Sequence, residues 1–134
     1  MNIEDVEGIG PKYAEQLRGT GVRTTDDLLE RGGTRKGRQD LADGAGLTTQ
    51  QVLEWVNRAD LYRIKGIGSE YSDLLEIAGV DTVAELAQRN ATNLAAALAQ
   101  AAQDKPNVVR RVPSEASVTD WVRQAKALPR AVEY

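Results

Sequence analysis

The chain repeats itself, and that constrains its fold more than any other feature. Residues 6–29 read VEGIGPKYAEQLRGTGVRTTDDLL and residues 64–87 read IKGIGSEYSDLLEIAGVDTVAELA. At a constant spacing of 58 residues, Gly8, Ile9, Gly10, Tyr13, Leu17, Gly21, Val22, Thr24 and Leu28 recur as Gly66, Ile67, Gly68, Tyr71, Leu75, Gly79, Val80, Thr82 and Leu86. A period of this length marks a supersecondary unit used twice. The ends of the copies also match, since Val52, Trp55 and Val56 recur as Val118, Trp121 and Val122, now 66 residues on. The second copy therefore carries about eight extra residues, placed in the stretch DKPNVVRRVP at 104–113. Two prolines and no helical period make that stretch a loop. Two units are expected, at 1–61 and 62–134.

Both copies read as helical. Val52, Trp55, Val56 and Ala59 fall at i, i+3, i+4 and i+7, and so do Val118, Trp121, Val122 and Ala125. Tyr71, Leu74, Leu75 and Ala78, and Leu94, Ala97, Leu98 and Ala101, repeat the pattern. Such spacing lines one helix face with apolar side chains. Thr48 with Gln51 and Thr82 with Glu85 have capping-box spacing, and Gly21 and Gly79 suit a left-handed helix stop. No segment alternates with period two and no hairpin dipeptide such as Asn-Gly occurs. The expected fold is all-α, with about eight to ten short helices. Trp55 and Trp121 lie on apolar stripes and read as core anchors. Tyr13 and Tyr71 are expected to pack inward with their hydroxyls on polar partners.

Composition narrows function by subtraction. Without Cys or His, the chain has no thiol nucleophile, imidazole base or Cys/His metal site. Carboxylates are scattered, and Asp26-Asp27 reads as a helix-start pair. No enzymatic role is expected and no metal. The net charge is −3 and the pI near 5.0, which is not the overall signature of a nucleic-acid binder. No N-terminal apolar stretch reads as a signal peptide, and the longest Ala/Leu run, residues 94–102, is too short to span a bilayer. A cytoplasmic protein without membrane contact is expected. Any nucleic-acid function must rest on local features.

The Gly-Ile-Gly segments are such features. Each precedes a helix at once, so two glycines can form a tight turn at positive φ while the Ile plugs into the core. The helix that follows starts with unpaired amides at the positive end of its dipole, which suits a phosphate. Pro11 fits the first helical position, and Lys12 adds charge. Neither segment is a dinucleotide fingerprint or a P-loop, because Tyr13 and Tyr71 replace the third glycine and no Gly-Lys-Ser/Thr follows.

Val6-Glu-Gly8-Ile-Gly10-Pro-Lys12-Tyr-Ala14-Glu-Gln-Leu17 resembles the helix-hairpin-helix motif, and Ile64 to Leu75 is a second match. The continuation Gly-Val-x-Thr-x-x-x-Leu is similar to that in the C-terminal domain of the bacterial RNA polymerase alpha subunit. The whole chain resembles a bacterial family of uncharacterised, duplicated helix-hairpin-helix proteins, which implies tandem units of SAM-like helical fold. The resemblance also implies sequence-nonspecific binding to DNA, with hairpin amides on phosphate oxygens and at most a monovalent cation as cofactor. On that pattern Gly8, Gly10 and Lys12 form one contact set, and Lys65, Gly66, Gly68 and Ser69 the other. Glu70 stands where Lys12 stands in the first copy, and Glu7 precedes the first turn, so the first hairpin is the better candidate and the second reads as structural.

A basic run, RGGTRKGR at 31–38, supplies Arg35, Lys36 and Arg38 as further phosphate candidates. Arg110 and Arg111 sit in the insertion. The competing expectation is a protein-interaction or scaffold module that uses the hairpins only to hold helices, supported by the acidic balance and the Ala-rich segment.

Overall fold

The computed structural model describes residues 1–134, and it is all-helical. A 3₁₀ turn at Ile3–Asp5 precedes eight α-helices: α1 Gly10–Arg18, α2 Thr25–Gly32, α3 Arg35–Ala45, α4 Thr49–Leu61, α5 Ser69–Ile77, α6 Val83–Ala87, α7 Ala91–Asp104 and α8 Glu115–Ala127. The only β pairing is an isolated bridge between Asn2 and Thr24. No helix is long and apolar enough to cross a membrane.

The chain divides into two compact units, Met1–Asp60 with Arg130–Tyr134, and Leu61–Pro129. The last five residues thus leave the second copy, with which the repeat groups them, and pack with the first. Each unit has its own core. Ile9, Leu17, Leu28, Val52 and Val56 are buried in the first, and Ile67, Leu75, Leu86, Val118 and Val122, their repeat mates, in the second. The helical stripes read from the sequence supply Val52, Val56, Leu75, Val118 and Val122, and the Gly-Ile-Gly turns supply Ile9 and Ile67. Trp55 and Trp121 are buried as core anchors. Trp55 tilts against Tyr13 and Trp121 against Tyr71, each pair with ring centroids 5.2 Å apart, a favoured aromatic geometry.

Helix ends follow local side-chain chemistry. In both copies the first long helix closes with the same motif. Gly21, at φ +94°, donates to the Arg18 carbonyl while Val22 donates to Leu17. Gly79, at φ +91°, donates to Glu76 while Val80 donates to Leu75. This paired arrangement satisfies carbonyls that a helix end leaves open, and it needs a residue free to enter the left-handed region. Thr48 and Gln51 form the expected capping box. At Thr82 the hydroxyl accepts from the Glu85 amide, but the Glu85 carboxylate lies near Arg89 at 4.0 Å.

A second full capping box joins Thr24 and Asp27. The Asp27 carboxylate accepts from the backbone amides of Arg23 and Thr24, which hold its pKa below the ordinary carboxylate value. A lowered folded-state pKa adds stability above the unfolded value, and this is lost as pH falls through the folded value. Asp27→Ala should therefore lower the melting temperature at pH 7, and the gap to the parent should narrow below pH ~4. A gap constant between pH 7 and pH 2 would show that the charge is irrelevant to the cap.

Candidate nucleic-acid interface

The two Gly-Ile-Gly turns are built on a common plan. Ile9 and Ile67 are buried, while Gly8 and Gly66 face solvent. The Ile9 amide donates to Val6 and the Ile67 amide to Ile64, which closes each bend. Gly8 has φ +89° and Gly66 φ +102°, a region costly for any side chain. Each glycine also lies over a tryptophan indole: a Cβ on Gly66 would come within 2.9 Å of Trp121 Nε1, and one on Gly8 within 3.5 Å of Trp55 Nε1. The tryptophan near the end of each copy thus supports the turn near its beginning.

The turns differ at their second glycine. Gly10 has φ +61°, but Gly68 has φ −111° and ψ −164°, so the expectation of two positive-φ glycines per turn holds only in the first copy. Pro11 follows Gly10, and a proline keeps its predecessor out of the right-handed helical region. Ser69 makes no such demand, and Gly68 takes the extended conformation usual for an N-cap.

Capping separates α1 and α5 from the other helices. Thr24, Thr34, Thr48, Thr82, Asn90 and Ser114 each accept an amide hydrogen bond in the first turn of α2, α3, α4, α6, α7 and α8. Neither α1 nor α5 has a side-chain cap. Their first turns lack the side-chain acceptor that the other six helices supply.

The flanking groups fall into distinct environments. Lys12 is exposed with no acidic partner, and Glu7 is exposed beside Gly8. Ser69 is the first residue of α5. The Lys65 backbone is occupied, because its amide donates to Gln124 Oε1 at 2.8 Å and its carbonyl accepts from Gln124 Nε2 at 3.1 Å. What Lys65 offers a ligand is its exposed side chain. Glu70 is not the uncompensated charge that its position suggests: Arg110 Nε lies 3.2 Å from Glu70 Oε1.

Within the basic run at 31–38, Arg38 requires correction. Arg38 is 5% exposed, and its guanidinium donates to the carbonyls of Gly32, Gly33 and Glu133. It is a buried carbonyl clasp and no phosphate ligand. Arg35 Nε donates to the Tyr134 carbonyl at 2.7 Å. Both arginines are turned to the C-terminal segment, whose Glu133 amide also donates to Gly33 at 2.7 Å. Arg31, Arg35 and Lys36 stay exposed, and Lys36 lies 3.6 Å from Asp40. Arg31 donates to the Thr20 carbonyl, and Arg89, 58 residues on, does the same to Gly79. These two are a repeat pair that ties down the end of the first long helix. In the sequence Arg31 reads as one charge in a run, although its match with Arg89 is the signal that sets it apart.

The tryptophan-backed turn and the uncapped helix behind it thus occur twice in one chain. A family described as a domain of unknown function, DUF4332, matches residues 7–128, which takes in both copies and the insertion. The chain belongs to the DUF4332 family. No curated protein and no solved structure matches it. In this DUF4332 protein no three acidic side chains come together as a metal site. The chemistry its turns offer is hydrogen-bond donation and positive charge.

Proposed function

We propose that this DUF4332 protein is a non-catalytic module of tandem helix-hairpin-helix units that binds double-stranded DNA without reading its sequence. Backbone amides of the two Gly-Ile-Gly turns and the starts of α1 and α5 take phosphate oxygens, with Lys12 and Lys65 adding charge. One observation carries this reading: the two helices without their own side-chain caps are the two that follow these exposed turns, while all six others are capped. A helix start with open amides at its positive end favours an anion. Contacts of this type position a duplex without specifying bases.

The test is a salt titration of a fluorescent 20-base-pair duplex followed by anisotropy. With about four phosphates engaged, affinity should fall roughly a hundredfold between 50 and 200 mM salt. Lys12→Glu should weaken binding to all duplex sequences alike. A flat salt response overturns the proposal, and an unchanged Lys12→Glu removes the first hairpin from it.

The second reading is a protein scaffold. The Gln124 grip on Lys65 and the indole beneath Gly66 favour it, since both give the second turn a purely internal task. A protein partner retained after nuclease treatment, together with no duplex binding, would select it.

A further inference from the structure

The insertion in the second copy is a loop, but its pinning is specific. Val108 and Val109 pack against the core of the second unit, and Pro113 beyond them is buried. Between these anchors the Tyr71 hydroxyl donates to the Arg111 carbonyl at 3.1 Å. Tyr71 lies in the first turn of α5, so the loop is held beside the start of that helix. The valines and the proline hold the loop, and the two arginine side chains point away from the core. The Arg110 side chain is 91% exposed, and Arg111 is exposed with no acidic partner.

Neither Arg110 nor Arg111 contributes to the core, yet Arg110 is aimed. Its one partner is Glu70, in the first turn of α5 where the helix dipole favours a carboxylate. An ion pair this exposed is weak and screened by water. A phosphate diester can take the guanidinium from it, since arginine's planar fork matches phosphate geometry.

We infer that the insertion is a cationic arm that equips the second hairpin for the DNA phosphate backbone, with Arg110 and Arg111 as phosphate ligands and Glu70 as the positioning residue that stores Arg110 beside the hairpin. This rests on the DNA reading above and reverses the expected ranking of the two hairpins. Lys65, Arg110 and Arg111 stand against Glu70 at the second hairpin, whereas Lys12 stands against Glu7 at the first. The arm does the work that Lys12 does in the first copy.

The experiment uses the full chain, the same duplex and the same salt series, with Arg110→Gln/Arg111→Gln, Arg111→Gln, Glu70→Gln and Lys12→Gln. Removing one phosphate ligand should lower the log–log salt slope by about 1. The double variant should therefore drop by about 2, and Arg111→Gln and Lys12→Gln by about 1 each. Glu70→Gln should bind more tightly than the parent and gain less in an Arg110→Gln background, because part of the gain is the release of Arg110; an equal gain in both backgrounds would mean that Glu70 only repels phosphate and stores nothing. The exposed glutamine substitutions leave the Tyr71 bond to the Arg111 carbonyl in place, and far-UV circular dichroism checks the fold. If the parent binds with a steep slope that Lys12→Gln reduces, while the double variant keeps the parent slope, the arm is refuted and the DNA reading stands. If the parent shows no salt-dependent duplex binding, both fall.

Discussion

Trp121→Ala is expected to cost the second unit about 3–5 kcal/mol, the range for deleting a large buried aromatic. A unit of this size has a total stability of roughly 3–10 kcal/mol, so the variant should lie at or beyond its unfolding threshold. The expected loss stands at the upper end because one side chain does three things. Trp121, on α8, fills part of the core of the second unit, tilts against Tyr71 at 5.2 Å, and carries the exposed Gly66 turn on its indole edge. Its removal leaves a cavity directly beneath the second hairpin. Urea unfolding followed by far-UV circular dichroism measures the loss. Trp55 remains as the sole indole and reports on the first unit by fluorescence. A shift under about 1 kcal/mol would mean that neighbouring side chains collapse into the space, and that the turn does not depend on the indole.

That arrangement shows how far the sequence can be read. The repeat announces Gly8 with Gly66, Tyr13 with Tyr71 and Trp55 with Trp121 as three separate pairs, and apolar stripes predict that the tryptophans are buried. Periodicity says nothing about which residue lies over which, so the support of each glycine by the indole from the far end of its copy emerges only in three dimensions. The standard spacing gives the full box at Thr48 and Gln51, whereas at Thr82 it gives the hydroxyl cap alone, with the Glu85 carboxylate near Arg89. The Thr24–Asp27 box escapes that pattern because its returning side chain is an aspartate, shorter than the usual glutamate or glutamine.

The basic run misleads for a different reason. RGGTRKGR looks like a solvated charge cluster in a flexible segment, but its glycines are points of close approach. A Cβ at Gly37 would lie 2.0 Å from the Arg31 carbonyl oxygen, one at Gly32 2.5 Å from Val56 Cγ2, and one at Gly33 2.7 Å from the Ala131 carbonyl oxygen. Here α2 and α3 meet in a tight corner, and the corner draws Arg38 inward. Its third acceptor, the Glu133 carbonyl, is 95 residues away. No local pattern encodes a bond of that separation. The pairing of Glu70 with Arg110, 40 residues apart, is hidden in the same way, which is why the sequence ranks the second hairpin below the first.

Arg38→Met should destabilise the first unit by about 2–5 kcal/mol, in the range for breaking a buried charged network. Methionine fills much of the volume but leaves the carbonyls of Gly32, Gly33 and Glu133 without the guanidinium; Gly33 keeps the Glu133 amide, while an interior acceptor left unpaired, as at Gly32, costs about 1–3 kcal/mol. Arg38→Lys should recover little, because one ammonium cannot reproduce the fork that spans the α2–α3 corner and the C-terminal segment. Deleting residues 130–134 attacks the same clasp from the other side. It removes Val132, 2% exposed, and with it the Glu133 bond to Gly33 and the Tyr134 hydroxyl bond to Asn57. Burial of one valine alone contributes about 1.5 kcal/mol or more. Because Arg38 and the segment share a hydrogen bond, the two changes should not add: Arg38→Met in the shortened chain should cost at least about 0.5 kcal/mol less than in the full chain, the size of coupling that touching residues show. Strict additivity in urea unfolding would mean that Arg38 holds the corner and not the segment. The folded fraction of Arg38→Met should bind duplex with the parent's salt slope, since a guanidinium committed to three internal carbonyls releases no counterion from DNA. A slope lower by about 1 would return Arg38 to the phosphate ligands and would require the C-terminal segment to lift off when the duplex arrives.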